Sequence, residues 1–415
     1  MRLLIEGGLV VDPEQSLDEV RDLLLEDGKV KDCARGLGSR PGLKGVERLD
    51  ARGLWVLPGL IDLHVHLREP AFGRGTQDES IASGTRAAAA GGVTTLVAMP
   101  NTRPPVDTPK ALRALQTKAR NAPIHALFAA CVTRGQKGRE LTDFKALAGA
   151  GAAAFSDDGR PVRNSELLRR ALLATKRLGL PLLDHAEDEG FSAASEVLAV
   201  SRDLALAAMT GGRLHLCHVS CAATVELLRE AKRRGADVTA EAAPHHFTLT
   251  AGDIPRSRRA ADFKMKPPLR RPEDREALIA GLAEGTIDAI ATDHAPHAPA
   301  KKRRGLSRAP FGIIGLETLV PLSLALVRSG RLTRLELARR LSYAPARILG
   351  LRSKGHLRRG ADADAVLIDP RARWRFDDPV SKSRNSPFLG RALVGRARAA
   401  VVSGRVVFLR KGGKP

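Results

Sequence analysis

Leu60-Ile61-Asp62-Leu63-His64-Val65-His66-Leu67-Arg68-Glu69-Pro70 opens on apolar residues and closes on side chains that bind ligands. A parallel strand covered on both faces reads as a continuous apolar run. Seven further runs of this kind follow: Val93 to Met99, Ile124 to Cys131, Ala152 to Ser156, Leu180 to His185, Arg213 to Val219, Asp237 to Ala242 and Ile287 to Thr292. Between them lie segments with helical spacing, such as Glu226 to Lys232 and Glu273 to Glu284. Eight strand–helix units predict an α/β chain folded as a closed (β/α)₈ TIM barrel over residues 58–345. A doubly wound open sheet is the alternative, but the Gly-rich dinucleotide fingerprint after the first strand is absent.

Outside this middle the texture changes. Leu3-Leu4-Ile5, Leu9-Val10-Val11 and Leu54-Trp55-Val56-Leu57 are short strand-like runs, and similar ones return in Val366-Leu367-Ile368, Ala399 to Val402 and Val406-Val407-Phe408. They predict a small β-sandwich domain assembled from both termini, residues 1–57 and 346–415.

In such barrels the chemistry collects at the carboxyl ends of the strands. Residues two apart on a strand face the same side, so His64 and His66 project together, as a pair of metal ligands would. The fourth run ends in Ser156-Asp157-Asp158-Gly159, the fifth in Asp184-His185, the sixth in Cys217-His218 and the eighth in Thr292-Asp293-His294-Ala295-Pro296-His297. A lone histidine at a strand end is usually a satisfied core residue. Five of eight ends carrying His or Asp, in a chain with 11 histidines, are harder to attribute to packing. Buried together and unpaired, such groups are costly, and one or two divalent ions, zinc first, remove the cost. His125, His215, His245, His246 and His356 are read as structural or exposed, with His356 in the terminal sheet.

Composition bounds the partners. The chain of 415 residues carries 68 Lys+Arg against 46 Asp+Glu, a net charge of +22. A nucleic-acid reading is disfavoured: aromatic residues are only 3%, too few to stack bases, and the charge is scattered apart from Lys301-Lys302-Arg303-Arg304 and the tail around Arg410-Lys411. The field suits an anionic substrate or an acidic partner. Four cysteines make no disulfide framework, and the sulfurs of Cys217 and Cys221 are expected to pack as small hydrophobes. No run reaches the length of a membrane span, and Glu6-Gly7-Gly8 comes too early for a signal peptide, so a cytoplasmic protein is expected.

The His64-Val65-His66-Leu67-Arg68-Glu69 block, Met99-Pro100-Asn101-Thr102, the Ser-Asp-Asp-Gly turn, and Thr292 to His297 followed by Ala309-Pro310-Phe311-Gly312 together resemble the dihydroorotase family of amidohydrolases. The likeness runs from Leu57-Pro58-Gly59 to Ser381-Lys382-Ser383-Arg384-Asn385. It implies zinc held by His64, His66, Asp158, His185, His218 and Asp293, with Asp293 also the catalytic acid/base. It further implies that Arg68, Asn101 and His297 hold a substrate carboxylate, His66 contributes to the substrate site, and Phe311-Gly312 touch the ring through backbone. The implied reaction is the reversible closure of N-carbamoyl-L-aspartate to dihydroorotate in pyrimidine synthesis. Hydantoinases and allantoinases bridge their metals with a lysine at the fourth strand, where this chain has none.

Three departures touch the substrate. Lys266 stands in Lys264-Met265-Lys266-Pro267-Pro268 where the family has a substrate-contacting asparagine. The segment after His185, Asp188-Glu189-Gly190-Phe191, is shortened, and Ala71 to Thr76 is slightly longer. Two rival readings follow: an impaired scaffold for aspartate transcarbamoylase, or an amidohydrolase of another cyclic amide. Members of the scaffold type lose metal ligands, and this sequence keeps each of them. Beyond the small-molecule substrate, a homodimer and a transcarbamoylase are the partners the resemblance implies.

Overall fold

The computed structural model describes residues 1–43, 45–73, 75–188 and 194–410. Two sheets organise it. The first strands are β1 (Arg2–Asp12), β2 (Leu17–Glu26), β3 (Lys29–Ala34), β4 (Glu47–Asp50) and β5 (Trp55–Pro58). The barrel strands are β6 (Leu60–Val65), β7 (Val93–Ala98), β8 (His125–Ala130), β9 (Ala154–Phe155), β10 (Leu182–Asp184), β11 (Leu214–Leu216), β12 (Val238–Ala242) and β13 (Ala289–Ile290). Each falls inside one of the eight apolar runs. They pair in parallel in chain order. The ring closes where Val65 bridges His294 and the His66 amide donates to His294 O at 2.8 Å.

Alternation along the strands separates two cores. Leu96 and Ala98 join Phe128, Ala130, Leu182, Leu216 and the helix residues Leu112, Leu168 and Leu228. Their neighbours Val97, Ala129 and Leu183 instead join Ile61, Leu63, Ala154, Cys217 and Ala289 in a second cluster with Ile348 and Leu349. The first is the strand–helix layer and the second packs the barrel's centre. The helical segments predicted around 226–232 and 273–284 are Ala222–Arg233 and Pro272–Glu284.

The chain ends with β14 (Ala365–Arg375), β15 (Ala392–Val402) and β16 (Arg405–Leu409). Hydrogen bonds join both termini into one sheet, ordered β16-β15-β14-β5-β1-β2-β3, with β4 beside β1. This sheet curls over its own core of Leu3, Ile5, Leu23, Leu25, Val56, Leu367 and Val401. The curl brings the β2–β3 turn against the segment before β14, where the Ala363 amide donates to Gly28 O. His356 lies in that connecting segment rather than in a strand, with Nε2 3.0 Å from Arg352 O.

Among the described residues no helix is long and apolar enough to cross a membrane. Glu189, Gly190 and Phe191 of the shortened segment, Arg74 of the longer one, and Lys411 of the basic tail lie outside the described residues.

Candidate metal centre

The six side chains singled out at strand ends meet at the mouth of the barrel. His64 Nε2 lies 3.2 Å from Asp158 Oδ1 and 3.6 Å from Asp293 Oδ1. His66 Nε2 lies 3.5 Å from Asp158 Oδ2 and 3.2 Å from Asp293 Oδ1. His185 Nδ1 is 3.4 Å, and His218 Nε2 3.7 Å, from Asp158 Oδ1. All six are buried. Asp158 therefore sits between the two pairs of imidazoles.

The outward nitrogens explain the orientation. His64 Nδ1 donates to Glu241 Oε1 (3.0 Å), His66 Nδ1 to Asn101 Oδ1 (3.0 Å) and His185 Nε2 to Glu187 Oε2 (3.2 Å). An imidazole that gives its proton outward turns a lone pair inward, the tautomer a metal requires. His64 Nε2, facing both aspartates, has no hydrogen-bond partner despite full burial. Donors of this type, His/Asp/His and His/His/Asp, lie close enough to share an ion.

Electrostatics favour a cation at the same place. Burial pushes Asp158 up, but His64, His185 and His218 hold it well below the usual carboxylate range. Asp293 is likewise raised by burial and lowered further by His66, His64 and His218. Burial resists protonation of His64, yet Asp158 pulls it well above its ordinary value, and His185 is drawn to about 9 against the same burial by Asp158 and Glu187. Carboxylates that attract these protons would attract a divalent ion in their place. The backbone is special here too: His218 (φ 35°), Asp293 (φ 47°) and Arg68 (φ 57°) occupy the left-handed region. Three of the seven described non-glycine residues in that region thus lie at this mouth, where strained backbone tends to collect.

Beside the cluster lies a cavity of about 480 Å³, lined by Arg68, Asn101 and His297 together with Arg103, Lys301 and Arg308. The three residues expected to hold a substrate carboxylate thus share one opening. Asn101 is also committed elsewhere: its amide donates to Asp158 Oδ2 at 2.9 Å. His297 Nε2 donates to Phe311 O at 2.7 Å, which places the Phe311-Gly312 backbone against this opening. Lys266 is not among the residues lining this opening; its Nζ lies 3.2 Å from Glu187 Oε2, and it reaches His185 through that carboxylate.

Sequence reasoning missed the supports. Glu241 bridges His64 to His215, whose Nε2 lies 3.1 Å from Oε2, so of the two readings of His215 the structural one holds, as a buried residue that positions His64. His245, His246 and His356 are likewise buried, the structural alternative of their reading. Asn385, from the C-terminal segment, accepts from the His297 amide at 3.0 Å. Cys217 packs in the apolar barrel centre as expected. Cys221 does not: its sulfur contacts Glu196 Oε1 and Thr224 Oγ1.

Residues 53–250 match the family model described as "Dihydro-orotase-like". A dihydroorotase of Pelobacter propionicus is 46% identical, with 99% of this chain and 100% of that protein covered. The chain belongs to the dihydroorotase family. A dihydroorotase of Anaeromyxobacter sp. is 44% identical over 98% of this chain and 97% of its own length. Among solved structures, an L-hydantoinase (dihydropyrimidinase) from Arthrobacter aurescens superposes with TM-score 0.88 at 26% identity, covering 99% of this chain and 96% of that one. A D-hydantoinase superposes with TM-score 0.87 at 26% identity, over 99% and 95%. The dihydroorotase-family chain therefore shares its architecture with hydrolases of cyclic amides, while its fourth strand ends in Ser156-Asp157-Asp158 without a lysine.

Proposed function

We propose that this family member is a zinc-dependent dihydroorotase, closing N-carbamoyl-L-aspartate to dihydroorotate with loss of water and reopening the ring in reverse. In this reading the barrel, residues 58–345, carries the chemistry, and residues 1–57 and 346–415 form the companion domain. The observation that carries it is the inward lone pairs of His64, His66 and His185 around Asp158 and Asp293, each fixed by an outward hydrogen bond.

His64, His66, Asp158, His185, His218 and Asp293 would hold one or two zinc ions. Zinc bound there supplies an acidified water and polarises the amide carbonyl. In ring opening, Asp293 Oδ1 takes the proton of the attacking water and returns it to the amide nitrogen as that bond breaks. Arg68 pairs the substrate carboxylate with its planar fork, and Asn101 and His297 complete the same wall. Gly312 and Phe311 offer backbone to the ring, and Lys266 places a cation, shared with Glu187, near His185.

Metal analysis of purified protein with a dihydroorotate ring-opening assay tests this. Zinc with turnover supports it. No metal and no turnover leaves the scaffold reading; zinc with turnover of other cyclic amides alone assigns a different substrate.

A further inference from the structure

The tetrad Lys301-Lys302-Arg303-Arg304 is not used by the chemistry above. It forms the short helix Pro299–Lys302 and the turn after it, on a ridge between two openings. On one side is the substrate cavity. On the other is a cleft of about 750 Å³ whose lining includes Arg258, Arg259, Arg303, Arg304 and Arg384, with Asp262 its one carboxylate. Arg304 lines both.

These guanidinium groups are poorly neutralised. Among the described residues, Arg258, Arg303 and Arg304 make no ion pair, while Arg259 donates to Leu389 O and Arg384 pairs with Asp378. Asp262, whose carboxyl burial pushes up while Lys302 and Arg259 pull it down, is the one compensating carboxylate in the lining. Five arginines around one concave surface repel each other and are relieved by a bound polyanion.

The cleft also shares structure with the substrate site. Lys302 lines it, is 5% exposed, and donates to Pro310 O and Gly312 O, both at 3.0 Å. Asn385 lines it as well, donating to Gly312 O at 2.9 Å while accepting from the His297 amide. The residues that wall the cleft thus hold the two backbone segments that face substrate.

We propose that this cleft binds a phosphorylated small molecule carrying at least two negative charges, up to nucleotide size, and that its occupancy is coupled to substrate affinity through Lys302 and Asn385. The coupling rests on the dihydroorotase reading; the binding does not.

The test uses the metal-loaded full chain with fructose 1,6-bisphosphate and adenosine 5′-monophosphate as probes, read by titration calorimetry. Arg258 and Arg303 line only this cleft and are exposed, so the double variant Arg258→Ala/Arg303→Ala keeps its melting temperature. Expected is binding tighter than about 1 mM to the parent chain, weakened at least about tenfold in the variant by loss of two charge-assisted contacts. Preference for one probe distinguishes a sugar phosphate from a nucleotide. No binding by either probe, or equal binding by the variant, overturns the site. A saturating probe should shift KM for dihydroorotate at least about twofold in the parent and not in the variant. Binding with unchanged KM overturns the coupling alone, and binding to a chain without turnover leaves the site standing while the dihydroorotase reading fails.

Discussion

Glu241 Oε1 lies 3.0 Å from His64 Nδ1, and its other oxygen lies 3.1 Å from His215 Nε2. Burial pushes this carboxylate up, but the two imidazoles hold it at about 2, so it stays ionised and fixes the His64 tautomer. Supports of this kind typically govern metal affinity by 10–100-fold, so Glu241→Gln should weaken metal binding by roughly that factor. Chelator competition measures it. A variant with parental affinity would show that Glu241 only fills space.

Asp293 contributes little to the apolar core and sits at a left-handed backbone position (φ 47°) that asparagine tolerates. Asp293→Asn should therefore fold normally while losing roughly 10²–10⁴ in kcat, the usual contribution of a proton-transfer group. Steady-state rates and a melting curve on one preparation separate the two effects. Near-parental turnover would remove the proton-transfer role.

Arg68 is half-buried and lines the cavity beside the cluster, and among the described residues its one hydrogen bond is a long Nε approach of 3.4 Å to Pro296 O. Its fork is thus available to a carboxylate. Lysine at this position keeps charge and loses bidentate geometry, so Arg68→Lys should raise KM about tenfold, worth about 1.4 kcal/mol, with a smaller change in kcat. An unchanged KM would count against carboxylate pairing.

The barrel was legible because burial on both faces writes strands as apolar runs, and the helices between them have their own period. The six clustered residues were legible for a related reason: polar groups at the ends of such runs converge once the ring closes. Glu241 was not, because a single carboxylate inside an apolar run carries no spacing, and its partner His64 is 177 residues away. Glu187 lies only two residues beyond His185, but which way its carboxylate turns is set by the loop after the strand; Asn385 meets His297 from 88 residues away. The lysine at 266 was visible as a departure, but its pairing with Glu187 depends on two loops meeting. At the termini, strand texture predicted a sheet, while the curl that joins β5 to β14 depends on pairing Val56 with Leu367 across the whole barrel.

Gly312 shows how tightly the loop beside His297 is set. Its φ is +122°, and a Cβ there would lie 2.5 Å from Ala295 Cβ and 2.8 Å from Ala295 O. Both strain and backbone contact oppose any side chain, and the Gly312 carbonyl also receives Lys302 and Asn385. Gly312→Ala should cost about 2 kcal/mol or more in stability and raise KM by displacing His297. Denaturant melts and kinetics check both. A neutral outcome would mean the loop relocates freely.

Glu317 gives the chain a pH dependence away from the metal cluster. Burial pushes its carboxyl up to about 7, against amide donation from Ser381 and Val380 and the charges of Arg410 and Arg396. The folded state therefore retains a proton that the unfolded state releases near 4.5, so stability from this group falls as pH rises from about 4.5 to 7 and then levels off. The shift corresponds to about 3 kcal/mol. Glu317→Gln stays neutral and can still accept from both amides, so it should match the parent near pH 4.5 and exceed it by up to that amount at pH 8. Urea unfolding at the two pH values measures the difference. A variant with the parent's dependence would show that Glu317 ionises in the folded state without penalty.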